Sequence, residues 1–112
     1  MNFKAMGEIL GLEEDEYREL IELFMETGQA DLNQLKIALD AGDAETVSRR
    51  AHTLSGASGN LRMMELHEAA KRIELAADDG RLDNFSGDLN VLEAGFAKIT
   101  QRLQGRITSG SP

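Results

Sequence analysis

One histidine among small residues is the part of this 112-residue chain best equipped for chemistry. His52 lies in the run RRAHTLSGASGNL, residues 49–61. Advancing about 100° per residue with His52 at zero places Val47, Ala51, Leu54, Ser58 and Leu61 between about 180° and 260°. That apolar or small stripe is the face that packs, so His52 faces water. Ser48, Arg49, Ser55, Gly56 and Gly59 fall within about 60° of it. Two glycines inside a helix cost roughly 1 kcal/mol each relative to alanine. Here they stand one and two turns beyond the imidazole and leave bare backbone beside it. Something flat or bulky can therefore approach the ring closely.

A solvated imidazole presents an unprotonated nitrogen near neutral pH, and that nitrogen can attack an activated phosphoryl group and later release it. Phosphoryl transfer depends mostly on positioning and charge neutralisation. A helix face offers no phosphate cradle, no cluster of Mg²⁺ ligands and no base aimed at an incoming group. On this reading the chain is a carrier, with no cofactor of its own, whose metal and acids come from its partner. The plainer reading is an ordinary surface histidine on a helical bundle, and periodicity alone leaves it open. The glycines weigh toward function, although they also suit close helix packing.

Helices must hold that residue in place. Residues 3–10 suit a short amphipathic helix with Phe3, Met6, Ile9 and Leu10 on one side, ended by Gly11. A second helix starts near Glu13, with acidic residues in the first turn where the helix dipole favours them. It carries Leu20, Ile21, Leu23, Phe24 and Met25, then Leu32, Leu35, Ala38 and Leu39; Gly28 either bends it or splits it. Gly42 is the expected stop and Asp43 the N-cap of a third helix over 43–60, which bears His52. Met63, Leu66, Ala70, Ile73 and Ala77 predict a fourth helix to Asp78, ended by Gly80. Leu89, Leu92, Phe96, Ile99 and Leu103 predict a last helix over 86–104. Short connections between amphipathic helices favour antiparallel neighbours. The expected fold is all-α: an antiparallel up-down four-helix bundle with a short additional N-terminal helix. One domain spans 1–105, and 106–112 form a flexible C-terminal tail.

Composition narrows the partners. The formal charge is −8, from 20 acidic and 12 basic residues, which disfavours the polyanions nucleic acid and anionic membrane. Arg49 and Arg50 run against that sign beside His52. Without cysteine there is neither a disulfide framework nor a thiolate metal site. No apolar run approaches the roughly 20 residues that span a bilayer, and the start MNFKAMGEIL does not read as a signal peptide. A cytoplasmic protein is the expectation.

The run AHTLSGASGNL, with His52, Leu54, Gly56 and Gly59, resembles the histidine-containing phosphotransfer (HPt) domain of multistep phosphorelays. Similar features are Ala51 before the histidine, Asn60-Leu61 after it, a following Ala-rich helix with Leu66, Ala70, Ile73 and Glu74, and the approach from Tyr17 to Asp43. The resemblance covers about residues 10–104. It implies a four-helix bundle whose exposed His52 accepts phosphate on Nε2 from an aspartyl phosphate of a response-regulator receiver domain. His52 then passes it to a second receiver. The implied partners are response-regulator receiver domains, a hybrid sensor histidine kinase or both, with Mg²⁺ only in the receiver, and a monomer is favoured. Gly56 would let the receiver's loops close over the imidazole.

Two positions depart from the family pattern. Ser55 replaces the lysine three residues after the histidine and carries no charge for a phosphate. Arg62 stands where many relatives have glycine. Arg49, one turn before His52, is the candidate for the missing charge. The alternative function is a docking or regulatory module that binds a receiver or kinase without carrying phosphate, and Ser55 is its best support. A second rival is an unrelated helical interaction domain with an incidental histidine. His67 reads as a structural or surface histidine at the edge of its apolar stripe, and no metal site with His52 is expected. Met6, Phe24 and Met25 are core by default, with a docking patch near His52 as the minority reading.

Overall fold

The computed structural model describes residues 2–83 and 85–108, with side chains to 104. The helices are α1 (Phe3–Ile9), α2 (Glu14–Ala41), α3 (Ala44–Asn60), α4 (Met64–Asp78) and α5 (Ser86–Thr108). There is no strand among the described residues, and α2 to α5 run up and down as an antiparallel bundle. α5 continues to Thr108, three residues into the stretch expected as a tail. Residues 109–112 lie outside the described residues. No helix is long and apolar enough to cross a membrane among those described.

Each helix starts and stops on local chemistry. Glu16 accepts a hydrogen bond from the Glu13 N–H at 2.9 Å and opens α2. α2 ends at Gly42, whose φ of 71° is the left-handed conformation glycine takes without strain. Asp43 caps α3: it accepts from the Thr46 N–H at 3.2 Å and from the Thr46 hydroxyl at 2.6 Å. Those bonds, the hydroxyl's first, hold the Asp43 carboxyl below its ordinary pKa. α3 closes with the Met63 N–H donating to Ser58 O at 2.9 Å and Arg62 at a φ of 63°. The position where Arg62 departs from the family's glycine is thus a left-handed turn, and arginine bears the strain there.

The core runs down the bundle axis. Ile21, Phe24 and Leu35 of α2, Val47, Ala51 and Leu54 of α3, Ile73 of α4 and Leu92, Phe96 and Ile99 of α5 are all buried. α2 passes Gly28 unbroken. That glycine makes room for the Phe96 ring, which would lie 3.2 Å from a Cβ there, and Phe24 packs edge-on against Phe96 at 5.5 Å. Phe24 therefore belongs to the core, not to a docking rim, and Met6 and Met25, both partly buried, pack against it. Fully buried Tyr17 donates to Leu61 O at 2.6 Å and ties the start of α2 to the end of α3. Burial pushes its hydroxyl up to about 12, so it stays a donor. α3 and α4 share an extensive contact, and His52 sits beside that seam.

Candidate functional site

His52 projects from the middle of α3 with its side chain 71% exposed. Val47, Ala51 and Leu54 are buried on the opposite side and fix the rotation of the helix. Among the described residues the ring is held by one bond, from Nδ1 to Glu74 Oε2 on α4 at 2.9 Å. An ionised carboxylate can only accept, so Nδ1 carries the proton and the lone pair of the neutral ring lies on Nε2. No hydrogen bond to Nε2 occurs among the described residues. Glu74 itself is nearly buried, and its second oxygen lies 3.5 Å from Lys71 Nζ. The side chain therefore presents an oriented, unengaged nitrogen to solvent, backed by a carboxylate that can hold the opposite edge of the ring.

The residues around His52 divide by flank. On one side Gly56 is open, with nothing within 4 Å of where a Cβ would lie. Arg49 is exposed, and with His52 and Ser48 it lines an open groove along the α3–α4 seam whose far wall is Glu74, Ala77 and Asp78. It makes no ion pair among the described residues. Its neighbour Arg50 instead reaches α2 and pairs with Asp31 at 3.0 Å. The other side lies against α4. Ser48 is half-buried and donates to Asp78. Ser55 is buried, and its hydroxyl lies 3.1 Å from His67 Nδ1. A Cβ on Gly59 would come within 3.0 Å of the same nitrogen. The expectation of bare backbone on both glycines thus holds at Gly56 and is corrected at Gly59, which is a close-packing position. Likewise Ser55 faces the seam and not the solvent around His52.

His67 is held from α3: Nδ1 lies 2.8 Å from the carbonyl of Ser55 and so donates to it. Among the described residues, no group of three or more His, Asp or Glu side chains could hold a metal ion. Two residues of the site, Glu74 and Lys71, were not singled out as site residues from the sequence. Glu74 stands 22 positions beyond His52, so only the register of α4 on α3 brings them together. Its signal was an acidic residue inside the stripe Leu66, Ala70, Ile73, Ala77, where a buried charge needs a partner.

Known proteins give the same picture. The Hpt domain family model matches residues 19–104. Among solved structures, the histidine-containing phosphotransfer protein B (HptB) from Pseudomonas aeruginosa PAO1 superposes with a TM-score of 0.78 at 26% sequence identity. The match covers 95% of this chain and 92% of that one. No curated protein sequence matches.

Proposed function

We propose a phosphorelay role for this chain, which belongs to the Hpt domain family. Membership and the likeness to HptB make it a phosphotransfer protein of two-component signalling. Within that role, His52 is the phosphoacceptor. Nε2 attacks the phosphorus of an aspartyl phosphate on a receiver domain, the N–P bond forms, and the P–O bond breaks with its electron pair leaving on the aspartate. The phosphorylated ring keeps its Nδ1 proton and gains positive charge, and Glu74 faces that proton. In the onward step a carboxylate oxygen of a second receiver attacks phosphorus and the pair returns to Nε2. No proton has to move in either direction. The chain is a carrier, and the metal that neutralises the moving phosphoryl belongs to the partner.

The observation that carries this reading is the Nδ1–Glu74 bond on an otherwise exposed ring. It fixes the tautomer that a nucleophilic Nε2 requires. The test mixes the purified chain with a phosphorylated receiver domain and looks for acid-labile, base-stable label, with His52→Gln as control. Label on the wild type that vanishes in His52→Gln is the expected result. Receiver binding without label would leave a docking module, with Ser55 as the first suspect. Absence of both, across several receivers, would leave a helical bundle with a histidine on its surface.

A further inference from the structure

We propose that Lys71 is a positioning residue for His52, acting through Glu74; the inference rests on the phosphoacceptor reading above. Glu74 has two oxygens and three rotatable side-chain bonds, and only one oxygen is used by His52 Nδ1. The other lies 3.5 Å from Lys71 Nζ, one turn earlier on α4. Lys71 and His52 thus each hold one oxygen of the same carboxylate. With Lys71 in place the carboxylate plane is held and Oε2 stays aimed at Nδ1. Without it, Glu74 is free to turn toward water.

Charge makes the same residue matter a second time. A phosphoryl group on Nε2 adds between one and two negative charges across the ring from Glu74, in a chain already at −8. The neighbouring cations are committed elsewhere: Arg50 to Asp31 at 3.0 Å and Arg72 to Asp88 at 2.8 Å. Arg49 shares the groove but makes no ion pair with Glu74 among the described residues. Lys71 is the cation that offsets the carboxylate itself, so that the bond which orients the ring does not also repel the incoming group. Ser55, where the family pattern has lysine, contributes no charge. The structure places a lysine beside the site from the other helix.

The lysine side chain is half exposed and an i, i+3 pair is weak, so its loss leaves the bundle folded. The first measurement is ¹⁵N NMR of the unphosphorylated chain, which reads the tautomer of His52 and needs no phosphoryl transfer. Lys71→Gln should lower the ratio of Nδ1–H to Nε2–H tautomer roughly twofold, the size such a pair carries, and Lys71→Arg should restore it. An unchanged ratio in Lys71→Gln overturns the proposal. The second measurement is transfer from a phosphorylated receiver. Lys71→Gln should slow it roughly two- to fivefold, and should do nothing further once Glu74→Gln is present. Equal slowing in both backgrounds would mean that Lys71 acts on the phosphoryl directly and not through Glu74, and that also overturns it. A chain that shows the tautomer shift but takes no label would retain the positioning role and lose the carrier role.

Discussion

α3 and α4 each offer the other a histidine, and the two sites are built from similar parts to opposite ends. His52 leans from α3 toward α4 and gives its Nδ1–H to a carboxylate. His67 leans from α4 toward α3 and gives its Nδ1–H to the backbone carbonyl of Ser55. Both bonds fix a tautomer. Only the first leaves the ring in solvent, beside a glycine with nothing over it. His67 is half-buried and lies over Gly59. A carbonyl acceptor has no formal charge with which to stabilise a positive ring, whereas Glu74 does. On the phosphoacceptor reading, reactivity at this seam comes from access to Nε2 and from the charge behind Nδ1, not from histidine as such.

The sharpest way to break this contrast is to remove each ring in turn. His52→Gln should abolish labelling by a phosphorylated receiver and lose no more than about 1 kcal/mol of stability, because Lys71 still faces the Glu74 carboxylate when the ring is gone. His67→Gln should retain labelling and lose about 1 kcal/mol of stability with the bond to Ser55. Label that persists in His52→Gln and disappears in His67→Gln would reverse the assignment. Glu74→Ala comes next in size. A hydrogen bond to a charged group contributes roughly 1.5–3 kcal/mol, so its loss should slow transfer about ten- to a hundredfold while the fold stays intact. Transfer at the wild-type rate would show that the tautomer needs no support.

The helix-level plan was legible because apolar residues recur at helical spacing and glycine or aspartate marks the ends. Asp43 caps and Gly42 stops where the sequence places them. What a helical wheel does not contain is the neighbour. Ser48, Arg49, Ser55, Gly56 and Gly59 all lie near His52 by angle, yet α4 covers one side of that arc and not the other. Ser55 and Gly59 are therefore packed, while Arg49 and Gly56 are open. The same blindness hid Glu74, whose pairing with His52 depends on the register of two helices across a turn that hinges on Arg62. Gly28 was ambiguous for a related reason, since its role is set by Phe96 on a distant helix.

A smaller effect separates the two arginines before His52. Arg49 shares the groove with the imidazole, whereas Arg50 is anchored on Asp31, whose side chain is 13% exposed. Arg49→Ala should slow transfer roughly two- to fivefold, the range of a solvent-screened charge, with unchanged unfolding. Arg50→Ala should leave transfer within twofold and lose about 1 kcal/mol of stability by stranding Asp31. Equal effects on transfer would remove Arg49 from the site.

The two glycines give the finest cut, because one substitution should act with different sign on each. Gly56→Ala places a methyl group in open space on an exposed helix face, so helix propensity alone decides and stability should rise by about 0.5–1 kcal/mol. Gly59→Ala gains the same propensity, but its Cβ would stand 3.0 Å from His67 Nδ1. That ring cannot retreat without stretching its 2.8 Å bond to Ser55, and such overpacking costs typically 1–3 kcal/mol. Gly59→Ala should therefore unfold more easily than Gly56→Ala by about 1–2 kcal/mol in a denaturant titration. Transfer should order them the other way: a bulkier Gly56→Leu should hinder the receiver's approach to Nε2, while Gly59→Ala leaves that approach clear. If the two variants were alike in both stability and transfer, the seam would be symmetric about α3, and the difference between the histidine sites would have to come from Glu74 alone.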